Sequence, residues 1–272
     1  MRQLSLGLKI TLWLIAIVIT LASVIYQKMT GPTYPVRTSV MLNGENVKYR
    51  FLRSHDTSGD AVMELNVPDS TYRAIYQYRR YRSHDAWTTD TLKAVDNVIK
   101  VAIPKQPAAG KVMYKLSLLK SDGEIISLTE EPVVIRFKGS VPLFILIPHI
   151  FFMFFAMLIS TRTGLEALAN GKSAQRYAWW TFWLLLVGGM ILGPLVQKFA
   201  FDAFWTGWPF GHDLTDNKTL LALIFWGIAL WRHKKTGNGR KWFVIAAVVQ
   251  FFVYLIPHSV LGSEIDYTKA QQ

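Results

Sequence analysis

The 272-residue chain contains no cysteine. That absence excludes disulfides, thiol nucleophiles, cysteine-ligated zinc, iron–sulfur clusters, covalent c-type haem and a lipid-anchoring cysteine. Charge is sparse as well, at 18% of residues against 51% hydrophobic. Acids are the scarcer sign, 18 against 30 Lys and Arg, which leaves a net charge of +12. Several chemical signatures are also missing. There is no His-Glu-x-x-His pair, no Gly-rich phosphate loop and no serine nucleophile elbow. No groove-reading element accompanies the positive charge, so the balance does not indicate nucleic acid.

What is present is long charge-free runs. Residues 10–27, 139–161, 177–197, 219–231 and 242–263 carry no Asp, Glu, Lys or Arg. Four of the five reach the roughly 18–20 residues that cross a bilayer core of about 30 Å. The run at 219–231 gives only about 20 Å of helix. Arg232-His233-Lys234-Lys235 blocks its C-terminal side, so this helix is expected to reach back to about Asp213. The fold expected is an integral α-helical membrane protein with five transmembrane helices and an inserted all-β domain. Residues 1–27 form an N-terminal anchor. The bundle at 139–272 has helices at about 141–161, 177–197, 213–231 and 242–258, followed by a tail. Ala22-Ser23-Val24-Ile25-Tyr26 lacks a small-x-small cleavage site, which favours a retained anchor over a cleaved signal peptide.

The polar stretch 28–138 reads as strands. Val112, Tyr114, Leu116 and Leu118 alternate, and Val133-Val134-Ile135 is β-branched. Turn signals recur at Asn43-Gly44, Ser58-Gly59, Pro68-Asp69-Ser70 and Asp122-Gly123. About seven strands in about 110 residues suit a sandwich. Pro107-Ala108-Ala109-Gly110-Lys111-Val112-Met113-Tyr114, with a corner-type tyrosine, resembles immunoglobulin- or fibronectin-III-like domains. That resemblance covers this segment alone and implies a fold, with no functional residues. Arg73-Ala74-Ile75-Tyr76-Gln77-Tyr78-Arg79-Arg80-Tyr81-Arg82 reads either as a docking face for an acidic partner, a glycan or anionic lipid, or as a solvated sheet face paired with carboxylates.

Lys and Arg placement gives an orientation. With the N-terminus inside, the inner segments 1–9, 162–176 and 232–241 sum to +9. The outer segments 198–218 and 264–272 sum to −2, and residues 28–138 carry +5. A multi-pass protein of the inner (cytoplasmic) membrane is expected, with the β-domain and the C-terminus extracytoplasmic. Most of the +12 is then a topology signal.

The candidate site lies where polar residues meet the outer membrane edge. Trp205 and Trp208 suit the interface, and Asp213, Thr215 and Asp216 suit a helix start. Helix arithmetic puts His149 about 18 Å, Asp216 about 22 Å and His258 about 24 Å above the inner ends of their runs. His212 lies just beyond. Ionisable groups at such depth are functional candidates by default. His149 and His258 are candidate axial ligands of a b-type haem. His212, Asp213, Asp216, His258 and Glu264 are candidate ligands of a divalent metal. Asn217, Lys218, Ser259, Ser263 and Asp266 complete the polar group. Gln250 is the one strongly polar mid-helix side chain of the fifth run, Gly188, Gly189 and Gly193 suggest close helix packing, and Trp179, Trp180 and Trp183 suggest an aromatic belt. The functional expectation is a metal- or haem-binding, redox-associated subunit. Its alternatives are a non-catalytic assembly protein whose β-domain docks a partner, and an enzyme acting on a lipid-linked substrate. Membrane lipids and a protein are the expected partners.

Overall fold

The structure, a computed structural model, describes residues 2–257, 262 and 264–269. The chain divides into two compact units. One comprises 1–32, 141–199 and 203–263; the other comprises 33–140, 200–202 and 264–272.

The first unit is helical. Its elements are α1 (Leu6–Thr30), α2 (Leu143–Leu168), α3 (Ala174–Phe201), α4 (Leu214–Thr236) and α5 (Arg240–Leu255). The first three are long and apolar enough to cross a membrane. Their residue sorting is the reverse of a water-soluble helix. Ala16, Thr20 and Ser23 of α1 are buried, whereas Leu14, Val18 and Ile25 are exposed. Ala156, Ser160 and Ala167 of α2 are likewise buried, with Phe144, Ile147 and Phe151 outside. Small side chains let helices approach closely, and the large apolar ones face outward as lipid requires. Gly164 shows the limit, since a Cβ there would lie 2.7 Å from the Ala247 Cβ.

Hydrogen bonds tie the helices together at two common ends. At one end Arg2 N donates to Asn170 O and Lys172 N donates to Arg2 O (2.8 and 3.0 Å). Arg240 Nε and Nη2 donate to Ala167 O and Leu168 O at 2.6 and 2.8 Å. These carbonyls belong to the last turn of α2, which has no i+4 helical donors. Gly239 N donates to His233 Nδ1 at 3.0 Å across the α4–α5 turn. At the other end Gln27 Nε2 donates to Tyr254 O at 2.8 Å, and the Lys218 ammonium donates to Ile256 O. Between the ends Trp226 Nε1 donates to Gln250 Oε1 at 2.5 Å, which gives the buried Gln250 its partner.

Helix boundaries differ from the charge-free runs. α2 continues past 161 to Leu168, α3 starts at Ala174 and α5 stops at Leu255. α4 runs through Arg232 and Lys235 to Thr236, where Gly237 takes a left-handed φ of 69°. Arg162 and Glu166, expected in a loop, are helical and buried at 0% and 1% exposure. They pair with each other at 2.7 Å, so the helix carries both charges inside without a net charge. α3 is not uniform either, because Leu186–Leu192 is a π-helical segment.

The second unit is β-rich. It contains β1 (Val36–Leu42), β2 (Glu45–Phe51), β3 (Ser54–Asp56), β4 (Ala61–Asn66), β5 (Arg73–Arg80), β6 (Thr88–Lys93), β7 (Val98–Ile103), β8 (Lys111–Leu119), β9 (Ile125–Ser127) and β10 (Val133–Lys138). These ten strands exceed the seven expected, partly through the three-residue β3 and β9. The largest sheet has the order β3-β10-β8-β5-β6, with β9 beside β8; β1 pairs with β2 and β4 with β7. All pairs are antiparallel except β10 with β3. Alternate residues of the three sheets fill one core, including Phe51, Leu65, Tyr76, Ile99, Leu116 and Phe137. The Tyr114 hydroxyl donates to Leu52 O at 2.8 Å, fastening β8 to the end of β2. A corner tyrosine would instead bond a few residues upstream.

Candidate functional site

The polar segment is organised by the start of α4. Asp213 is its N-cap, and the carboxylate accepts from Thr215 N at 2.7 Å. Asp216, in the first turn, reaches out of the helix. Its Oδ2 accepts from Thr206 N at 2.7 Å and from Gly207 N at 3.0 Å. The Thr206 hydroxyl lies 3.2 Å from Asp213 Oδ2 and 3.4 Å from Asp216 Oδ2, and accepts from Gln197 Nε2 at 2.6 Å. Asn217 Oδ1 accepts from Trp208 N at 2.6 Å, while Trp205 Nε1 donates to Trp208 O at 3.0 Å. Residues 206–208 therefore hang by their backbone amides from α4. Gly207 is required by this approach, since a Cβ would sit 2.6 Å from Asp216 Cβ and 2.8 Å from Asn217 Oδ1. Gly262, at φ 105°, closes over Asp213 in the same way.

Asp213, Asp216 and Lys218 are buried at 2%, 8% and 5% exposure. Each has a hydrogen-bond partner, and most partners are backbone groups. A carboxylate near the start of a helix also meets the positive end of its dipole, and the Lys218 cation meets the negative end of α5.

His149 stands on α2 against the π-helical part of α3. Its Nδ1 is 2.9 Å from Gly188 O. A carbonyl only accepts, so Nδ1 carries the proton and Nε2 keeps its lone pair. The Gly188 carbonyl also accepts from Gly193 N across the wide π turn, so His149 adds a second donor to it. Gly188 and Gly189 make room, because Cβ atoms there would lie 2.7 Å from Phe152 Cβ and 2.5 Å from Thr219 Cγ2.

The other candidates fall elsewhere. His212 is exposed. Glu264 and Asp266 belong to the β-rich unit. Glu264 pairs with the Lys111 ammonium and with Arg82 at 2.7 Å, and Asp266 accepts from Thr268 N at 3.1 Å. His258, Ser259 and Ser263 lie outside the described residues. Among the described residues no three His, Asp or Glu side chains form a metal-binding group. Three of the four arginines of 73–82 are also occupied. Arg79 lies 5.0 Å from the Trp87 ring centroid, Arg80 pairs with Asp85 at 2.7 Å, and Arg82 holds Glu264. The Arg80 guanidinium holds the Asp85 carboxyl down at about 2.

Lys111 and Glu264 make a nearly buried pair, with side chains 11% and 12% exposed. Glu264→Ala leaves the ammonium without its carboxylate and is expected to cost about 3 kcal/mol. Thermal unfolding followed at the β-rich unit reads that loss. Burial holds the Lys111 ammonium below the ordinary lysine range. Between that lowered value and about 10.4 the unfolded chain binds more protons, so this group's contribution to stability rises with pH across the window. The stability difference between the native chain and Lys111→Met should follow that rise.

Sequence reasoning passed over a second buried polar group. The Arg162 guanidinium lies 5.4 Å from the Trp13 ring and 5.1 Å from the Tyr177 ring. Its Nε and Nη1 reach no hydrogen-bond acceptor among the described residues. The signal was the Arg162–Glu166 spacing of one helical turn directly after a charge-free run. Comparison with protein-family models, curated proteins and solved structures finds no match for this chain.

Proposed function

We propose that this chain is a non-catalytic membrane assembly protein with five membrane-crossing helices and an immunoglobulin-like β-sandwich that docks a protein partner. One observation carries the reading. The Asp216 carboxylate, the most membrane-embedded acid of the segment, is spent on two backbone amides, at Thr206 and Gly207. Asn217 holds Trp208 N in the same way, while Asp213 caps its own helix at Thr215 N and Lys218 donates to Ile256 O at the end of α5. In lipid every backbone polar group has to be satisfied internally, and these side chains do that for a non-helical segment.

The five crossings are supported by the two common ends that the hydrogen bonds define. Arg2, Lys172, Arg232, Lys235 and Lys241 belong to one end, and Asp213, Asp216 and Lys218 to the other. That asymmetry favours an inner-membrane protein with a cytoplasmic N-terminus and the β-domain outside. The cysteine-free chain permits a direct check. A Ser39→Cys variant should react with an impermeant maleimide in intact cells, and Thr236→Cys only after permeabilisation. The reverse pattern would overturn the orientation.

Asp216→Asn and His149→Gln variants that keep the native melting temperature should retain partner association and cellular role. Loss of role with stability and association intact would overturn the assembly reading. One observation favours a cofactor instead. The Nδ1–H of His149 is held by a backbone carbonyl and Nε2 keeps its lone pair for a metal, the usual posture of a ligating histidine. A Soret band in the purified protein, abolished by His149→Leu, would establish that second reading.

A further inference from the structure

β1 and β2 form a hairpin whose inner face, Val40, Leu42, Tyr49 and Phe51, joins the β-rich core. The outer face is different. Arg37 stands directly opposite Arg50, and Ser39 opposite Lys48. All four are exposed and line a shallow cleft of about 440 Å³. Directly opposed like charges destabilise a sheet. None of the three cations enters an ion pair among the described residues. Arg37 lies 5.6 Å from the Tyr34 ring, whereas Arg80, at the end of β5, and Arg82 just beyond it each hold a carboxylate. Two flanking features add to the pattern. Met41, on the same face, is 63% exposed. The far edge of β1 pairs with no strand among the described residues. An open edge is a template for another extended chain.

We infer that this face takes an extended acidic segment of the partner protein, laid along the free edge of β1. The inference rests on the assembly reading above. Strand addition supplies main-chain hydrogen bonds, and side chains at alternate positions supply selectivity. Alternate residues of an extended strand project to one face about 7 Å apart. Glu or Asp at those positions meets Arg37 first, and the longer reach of Lys48 and Arg50 covers the next strand position. A charge placed only to guard an edge against aggregation requires no second arginine opposite the first. The opposed pair costs stability in the free protein and is eased by a carboxylate beside Arg37.

The test uses the full chain in phosphatidylcholine nanodiscs and a labelled ten-residue peptide of alternating Glu and Val, followed by fluorescence anisotropy. Saturable binding is expected. It should weaken at least tenfold when two inner Val are replaced by Pro, because Pro removes ladder donors. Combining Arg37→Glu with Arg50→Glu should weaken it at least tenfold as well. Arg50→Glu alone sets a carboxylate opposite Arg37, so it should hold or raise the melting temperature while lowering peptide affinity. Equal binding of the Pro peptide would overturn strand addition. Binding indifferent to both charge reversals would overturn the surface. Capture of phosphatidylserine vesicles that depends on Arg37 and Arg50, without peptide binding, would assign the face to lipid and overturn the proposal. A natural partner whose association survives both reversals would sink this surface and leave the assembly reading standing; no association dependent on the β-rich unit would sink that reading itself.

Discussion

Replacing Arg162 with Leu is expected to destabilise the helical unit by about 3–5 kcal/mol, and Glu166→Gln by a similar amount. The two side chains are paired at 2.7 Å and 0% and 2% exposed. Removing either leaves a full charge, or a full set of donors, in an apolar interior. Glu166 has one further contact, from Ser173 N to its Oε1 at 3.2 Å, which does not neutralise it. Arg162 has the faces of Trp13 and Tyr177, and cation–π attraction offsets only part of a guanidinium's lost hydration. Replacing both, Arg162→Met with Glu166→Leu, should recover most of the loss, since a buried pair is often matched by packed apolar residues. Thermal denaturation in a mild detergent, run as a double-mutant cycle, measures the coupling. A double variant whose loss equals the sum of the single losses would show that the charges do not depend on each other. The pair bridges α1, α2 and α3, so the single variants should also weaken the bonds of Arg2 to Asn170 and Lys172 at the same end.

The second large effect is expected at Asp216. Asp216→Ala removes the acceptor from Thr206 N and Gly207 N. A buried donor left without a partner costs roughly 1–3 kcal/mol, so two give about 2–6 kcal/mol. Asp216→Asn keeps a carbonyl oxygen in place and should cost about 1 kcal/mol. The segment that would come loose, 203–211, is rich in aromatics. Limited proteolysis should therefore cut it faster in Asp216→Ala than in Asp216→Asn. An Asp216→Ala protein with unchanged melting temperature and proteolysis would show that the loop is held by other means.

Much of the architecture was legible because its signals are local. Charge-free runs mark helices, since a bilayer admits few unpaired charges, and three of the runs correspond to helices that can cross one. The alternation at Val112, Tyr114, Leu116 and Leu118 was readable as a strand because pleated side chains alternate by geometry. Helix ends were less legible. The run preceding Arg162 stops at 161, but α2 does not, because Glu166 one turn later cancels the charge and two aromatic rings cover it. The candidate constellation shared that weakness. Depth along a helix is a one-dimensional quantity, and it says nothing about the direction in which a side chain leaves the axis. His149 turned towards the π segment of α3. Glu264 joined Lys111 of the β-rich unit, where a buried ammonium needs an anion more than an exposed His212 does.

The order of elements, the alternation of the strands and the asymmetry of charge between helix ends were determined by the sequence alone, because each follows from neighbours along the chain. Three matters were decided only by the tertiary structure: which acid meets which amide at Asp216 and Thr206, which rings face Arg162, and which arginines, Arg37 and Arg50, have no ion pair among the described residues. The physical reason is common to all three. A buried or crowded charge takes the partner that packing brings within hydrogen-bond reach, and that partner can lie anywhere in the chain.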